Sequence, residues 1–262
     1  MFVGVDRHAK GCKMSEQFEQ QKFADLIDGD NAQASLLPQI LAEVSKVGLI
    51  TIKRIYGDWT TTNMNSWKDS LHKYAIQPIQ QFRYTTGKNA TDSAMIIDAM
   101  DLLHSNDVDG FCIVASDSDY TRLATRIREE GLFVIGVGEK KTPEAFTNAC
   151  NQFIFCENLV VTKELKRKPR KKTRKEKLDV RDPLPLLLQG FEMAAKEEEW
   201  VHLAAMGNAL RQLDPAFDPR TFGHQRLQSL IKDYPETFVL KLDDSKTPPV
   251  VYVALATQTS TD

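Results

Sequence analysis

The chain has 262 residues, an apolar content of 42% and a net charge of −2. That length suits two domains or one large one, and the apolar share is enough for a packed core. No run of about 18 apolar residues occurs, so no membrane-spanning helix is expected. The first thirteen residues, MFVGVDRHAKGCK, lack a signal-peptide core and read as a tail or as a start placed ahead of Met14. A short apolar run over 23–27 predicts a strand ending in the acidic turn Asp28-Gly29-Asp30-Asn31. Residues 36–47 have helical spacing, with Leu37, Ile40, Leu41 and Val44 inward and Pro38 in the first turn. A strand over 49–56, a helix over 65–74 and a strand over 76–81 follow, then a loop through Gly87 and Lys88 and a helix over 92–104.

The stretch 111–138 carries the strongest pattern. An apolar strand over 111–115 meets Ser116-Asp117-Ser118-Asp119, then a helix with Tyr120, Leu123, Ala124 and Ile127 on one side, then a strand over 132–137. That is a βαβ unit with buried parallel strands. A helix over 143–150 and a strand over 152–155 complete an α/β rhythm, which predicts a parallel sheet flanked by helices. The segment 163–177 then holds ten Lys/Arg against two Glu. Outside it, 24 basic residues face 34 acidic ones, so a basic strap joins acidic bodies and suits phosphate contacts. Beyond it come a helix over 184–199, another within 200–213, a third from the Asp218-Pro219 cap to 233, and strands over 237–242 and 250–255. Three helices and a hairpin predict a small C-terminal winged-helix domain, a binding module.

Cys12, Cys112, Cys150 and Cys156 form no CxxC pair and read as reduced thiols of a cytoplasmic protein. The acids are more informative. Asp28, Asp117 and Asp119 fall at carboxyl ends of predicted strands, where parallel sheets bind ligands. Asp92 and Asp98 lie on the helix leading into the fourth strand; their spacing sets them about 120° apart, so they converge only if Asp92 sits at the cap. Carboxylates gathered at one edge repel each other, and a hard divalent cation is their natural partner. Each acid alone also serves as an Asx turn or a helix cap. Lys88, just upstream of Asp92, could meet substrate phosphate. The run Asp117-Ser-Asp-Tyr-Thr121 also fits the D-x-D-x-T of haloacid dehalogenase phosphatases, but no second acidic motif follows in the remaining α/β segment.

Three ordered motifs, Leu26-Ile-Asp-Gly-Asp-Asn31, Lys88-Asn-Ala-Thr-Asp92 with Asp98 beyond, and Val114-Ala-Ser-Asp-Ser-Asp-Tyr120, resemble the NYN domain, a branch of the PIN-like ribonuclease superfamily. Gly136-Val-Gly138 and residues 142–149 are similar too. The segment with Trp200-Val-His-Leu203, Leu210, residues 217–223, Leu227, Leu230 and residues 237–240 resembles the LOTUS (OST-HTH) domain. The resemblance implies an NYN nuclease domain over 20–160, a basic linker over 161–182 and a LOTUS domain over 183–257. It implies a Mg2+- or Mn2+-dependent endoribonuclease, with Asp28, Asp92, Asp117 and Asp119 as catalytic and metal-holding residues and Asp98 as a further ligand. Asn31, Ser116 and Ser118 would support that site. RNA, single-stranded or structured, would be held by Lys88, by Lys166, Arg167, Lys168, Arg170, Lys171 and Lys172 of the linker, and by Arg220, His224 and Arg226 of the third helix. The LOTUS domain could also seat a protein partner or a second copy. The alternative is a non-catalytic RNA-binding adaptor of the same fold.

Overall fold

Lys22–Asp28 forms β1, the strand around which the N-terminal half is laid out. The structure is a computed structural model and describes residues 20–82, 90–105, 107–164, 182–195 and 198–256. β1 is followed by a 3-10 turn at Ala34–Leu36 and α1 (Leu37–Val44), where Pro38 fits the first turn. Then come β2 (Leu49–Gly57), a 3-10 segment Thr62–Trp67 running into α2 (Lys68–Tyr74), and β3 (Gln77–Gln80). α3 (Ala90–Ser105), β4 (Gly110–Val114), α4 (Thr121–Glu129), β5 (Phe133–Gly138), α5 (Glu144–Ala149) and β6 (Gln152–Phe155) complete the sheet.

All six strands are parallel, in the order β3-β2-β1-β4-β5-β6. The order reverses between β1 and β4, the switch point at which open parallel sheets leave a crevice. Side chains alternate between two cores. Ala24, Leu26, Phe111 and Ile113 pack with Met95, Leu123, Ile127 and Phe146 on one face. Phe23, Ile27, Cys112 and Val114 pack with Leu37, Ile40, Trp67 and Leu159 on the other. Both faces being covered, the strands are near-continuous apolar runs, as a parallel sheet requires. Asp25, third in β1's buried series, is carried into the second core with the same parity as Phe23 and Ile27.

An additional helix, α6 (Cys156–Glu164), follows β6 directly and was not anticipated, because its β-branched run Val160-Val161-Thr162 gives little helical pattern. The C-terminal half contains α7 (Leu184–Ala195), a two-residue strand β7 (Val201–His202), α8 (Leu203–Leu213), α9 (Leu227–Ile231), β8 (Phe238–Asp243) and β9 (Val250–Leu255). The strands form an antiparallel sheet, β7-β9-β8, over a core of Leu187, Phe191, Met206, Leu210, Ile231 and Val253. The winged-helix arrangement read from the sequence is therefore present. Its third helix is not continuous from the Asp218-Pro219 cap. A 3-10 turn at Pro219–Phe222 ends at Gly223, whose φ of 85° is left-handed, and α9 starts only at Leu227.

The two halves touch along a seam at the β6 edge. The Phe153 backbone N–H donates to the Pro215 carbonyl at 2.7 Å, and the Asn158 amide donates to the Thr221 hydroxyl at 2.9 Å. The Arg220 guanidinium donates to Glu43 at the end of α1 at 2.6 Å and chelates Asp218 through three further bonds.

Candidate active site at the carboxyl edge of the parallel sheet

β1 ends in Asp28, whose side chain is fully buried. The chain turns there at Gly29, whose N–H donates to the Tyr56 carbonyl at 2.9 Å. A Cβ on Gly29 would meet that same carbonyl oxygen at 2.9 Å, so the turn needs a glycine to stay against β2. One Asp28 oxygen accepts the Asp30 N–H at 3.1 Å, and the other accepts the Asn31 amide at 2.8 Å. Burial is the first reason why the Asp28 pKa stands raised, at about 6; the Asn31 bond opposes the shift and the Asp92 charge adds to it.

Asp92 lies in the first turn of α3, a place where a carboxylate complements the helix dipole. Its Oδ1 accepts the Tyr120 hydroxyl at 2.7 Å, and the same hydroxyl lies 3.5 Å from Asp28 Oδ2. Tyr120 thus ties β1 to α3 from the start of α4. The Asp92 pKa is raised as well, by burial first, with the charges of Asp117, Asp119 and Asp30 adding and the Tyr120 bond opposing. Next to it, Thr91 donates its hydroxyl to Asp30 at 2.9 Å.

After β4 the chain enters a 3-10 turn, Ser118–Tyr120, capped by Asp117, whose Oδ1 accepts the Asp119 N–H at 3.1 Å. Ser118 donates to the same Asp117 oxygen at 3.3 Å. Asp117 and Asp119 are exposed, Asp92 half-buried and Asp28 buried, so the acids descend from the rim to the floor of the edge. Ser116 faces elsewhere: its hydroxyl accepts the Glu139 N–H at 2.9 Å and ties the loop after β4 to the loop after β5.

Asp28, Asp92, Asp117 and Asp119 therefore belong to one electrostatic neighbourhood, with Asn31 bonded into it. Asp98 does not. Its carboxylate accepts the Arg54 guanidinium and the Tyr56 hydroxyl, both from β2. The roughly 120° between the two positions decides this: Asp92 faces the edge and Asp98 faces β2. Lys88 and the linker residues Lys166, Arg167, Lys168, Arg170, Lys171 and Lys172 lie outside the described residues. Arg220, expected on an RNA-facing helix, is instead the ion-paired centre of the seam, only 16% exposed between Glu43 and Asp218. A guanidinium so engaged has its charge already matched. His224 lies 3.0 Å from Asp233, and Arg226 stays exposed at the start of α9.

Sequence reading missed Tyr120, Thr91 and Asp30 as members of the site. Tyr120 sits in the apolar stripe of α4, and the signal was available: it is the polar-tipped member of that stripe, directly after the acidic turn. The donor set is all oxygen with one amide, which suits a hard divalent cation rather than zinc. After burial, the groups that act on Asp28 and Asp92 are other carboxylates, a hydroxyl, an amide and a backbone N–H, with no ammonium or guanidinium named among them. Among the described residues, however, no three or more His, Cys, Asp or Glu side chains converge closely enough to enclose a metal ion by themselves. A cation at this edge would therefore be held partly through water, which is how Mg2+ is ordinarily held.

The family model for the NYN domain matches residues 22–159, and that for the OST-HTH/LOTUS domain matches residues 171–250. None of the curated proteins matches the chain. Among solved structures, it is similar to a protein of unknown function from Vibrio parahaemolyticus, with 16% identity over 54% of this chain and 96% of that one and a TM-score of 0.45. It is also similar to an uncharacterised protein from Nitrosomonas europaea, with 22% identity over 34% of this chain and 89% of that one and a TM-score of 0.27. The NYN match spans more than half of the 262 residues, and it falls on the six-stranded parallel sheet whose carboxyl edge gathers these acids: the chain belongs to the NYN family, with the PIN-like nuclease fold, and carries an OST-HTH/LOTUS domain after it.

Proposed function

We propose that the chain is a metal-dependent endoribonuclease that hydrolyses RNA phosphodiesters at the carboxyl edge of its parallel sheet. The observation that carries this reading is the meeting of carboxylates from three separate segments, the end of β1, the start of α3 and the turn after β4, around one tyrosine hydroxyl. Such a gathering is costly for folding, and sites of this kind are where perturbed carboxylates serve chemistry. PIN-like nucleases use divalent metals, and LOTUS domains bind RNA.

Asp28, Asp92, Asp117 and Asp119 would hold Mg2+ or Mn2+, directly or through water, and the cation would supply activation of water and charge neutralisation at the phosphodiester. The chain's own residues set up the rest. Asn31 and the Asp30 N–H fix the Asp28 carboxylate from below. Tyr120 fixes Asp92 through one oxygen. Asp92, half-buried and held by Tyr120 through one oxygen only, is placed to accept the proton of attacking water through the other. The LOTUS domain and the linker of ten cations would recruit the RNA.

Cleavage of labelled RNAs by the full chain in Mg2+, Mn2+ or EDTA, beside Asp117→Asn and Asp28→Asn, tests the proposal. Metal-dependent cutting lost in both variants supports it. RNA that is bound but never cut, in any metal, moves the assignment to a non-catalytic RNA-binding adaptor. One observation favours that second reading: no three metal-ligating side chains converge closely among the described residues.

A further inference from the structure

The amino ends of the strands carry a second polar region. Two adjoining cavities, about 660 and 640 Å3, run along the seam between the domains and share Phe133, Asn208 and Arg211 in their walls. Phe133 opens β5 and Gln152 opens β6, so this groove lies at the opposite end of the sheet from Asp28 and Asp117. Six residues of β5 put the two ends roughly 20 Å apart.

The charge of the groove runs against that of the domains. Its described lining holds Lys46, Arg128, Arg211 and Arg220 against Glu43 and Asp218, and both acids are already engaged by Arg220. Arg128 donates to the carbonyls of Asn148 and Ala149 at 3.1 and 3.3 Å, and Arg211 donates to the Asn208 side-chain oxygen at 2.9 Å. Those acceptors are neutral, so among the described residues neither guanidinium has its charge matched. Each keeps further N–H donors in a fork that suits phosphate. The half-buried ring of Phe133 lines both cavities, held edge-on by Phe23 at 6.3 Å. Side-chain amides of Gln152, Asn151 and Asn208 line the same walls.

Cations that track a backbone, an aromatic ring for base stacking and amides for base edges are the parts of a single-strand nucleic-acid groove. We propose that the interdomain seam binds single-stranded RNA, with Arg128 and Arg211 on phosphates and Phe133 under a base, as an anchoring site remote from the acidic edge. The inference rests on RNA being the ligand of this chain, but not on its being cleaved.

The test uses the full chain and a fluorescein-labelled 20-nucleotide oligouridine in EDTA, with anisotropy read across a KCl series. Arg211→Gln and Arg128→Gln are each expected to weaken binding several-fold and to lower the slope of log affinity against log salt by about 0.7. Phe133→Leu should weaken binding while leaving that slope unchanged. Thermal melting controls for folding; Arg211, exposed and bonded only to a surface amide, gives the variant least exposed to that objection. Wild-type affinity and slope in both arginine variants would overturn the seam assignment and leave the acidic edge untouched. Cleavage of a trinucleotide, too short to reach from one end of the sheet to the other, should be unchanged in the arginine variants. Its loss would place the arginines in the chemistry and overturn the anchoring role.

Discussion

Asp25 gives the sharpest thermodynamic expectation. It sits in the middle of β1, 0% exposed, paired across the sheet with Lys53 on one side and Cys112 on the other. Neither carboxyl oxygen meets a donor in hydrogen-bonding geometry. Burial pushes its pKa from 3.8 to about 7, with the Cys112 thiol and the Lys53 charge drawing it part-way back. Because the folded pKa is the higher one, the native state keeps the proton that the unfolded chain loses. The stabilisation is thus complete below the unfolded value and falls away as pH rises through the interval from 3.8 to about 7. A shift of about three units costs about 4 kcal/mol once both states are ionised, and about 2.5 kcal/mol of that loss develops between pH 5 and 8. Asp25→Asn cannot ionise, so the constant cost of a buried amide cancels when its stability relative to wild type is followed with pH. In urea unfolding at pH 5, 6, 7 and 8, the variant should gain on wild type by about 2.5 kcal/mol across the series. A difference that stays level within about 0.5 kcal/mol would show that the carboxyl is either solvated or already paired, and the reasoning would fail.

Tyr120→Phe keeps the ring packed on Phe146 but leaves Asp92 without its donor; stability should fall by about 1 kcal/mol, and metal-dependent cleavage should fall more steeply than the melting temperature implies. Arg220→Ala removes the bridge from Asp218 to Glu43 and should cost about 2 kcal/mol, less than a fully buried pair because both ends keep some solvent contact. Calorimetry should then show two separated transitions, against one coupled transition expected for wild type. Gly136→Ala drives a Cβ to within 2.4 Å of the Phe153 ring and 2.7 Å of the Cys150 sulfur, and should lower stability by about 2 kcal/mol in denaturant titrations.

The central strands β4 and β5 were legible because each is a short apolar run followed by a turn residue or a helix-period segment. The switch point could be inferred from where the acidic turns fall, after β1 and after β4. What periodicity could not give was the fate of charges inside those runs. Asp25 interrupts an apolar strand on the face of Phe23 and Ile27, and its charge argues for solvent; helices on both faces of the sheet make it buried. Asp98 carries the same letter as Asp92, but its partner Arg54 is 44 residues away on β2, beyond any local pattern. The ion pair of Arg220 was hidden for a similar reason: the winged-helix pattern is local, while its partner Glu43 lies 177 residues earlier in the other domain.

The two buried acids of β1 separate structural cost from functional use. Asp25 and Asp28 are three residues apart, both without exposed surface and both with raised pKa values, at about 7 and about 6. Asp25 faces the core of α1 and α2 and meets only the weak donor of the Cys112 thiol, outside good hydrogen-bond geometry. Asp28 faces Tyr120 and receives two close donors from its own turn. At pH 7, keeping Asp28 ionised still costs about 3 kcal/mol, whereas a neutral amide would keep one of the two turn bonds and give up the other at about 1 kcal/mol. Folding alone therefore gives no reason for a carboxylate there. In the proposed nuclease, a cation arriving beside this carboxylate and three more acids would offset that cost. Asp28→Asn should accordingly melt no lower than wild type at pH 7 while losing metal-dependent cleavage, and a variant that loses both together would return Asp28 to a purely structural role.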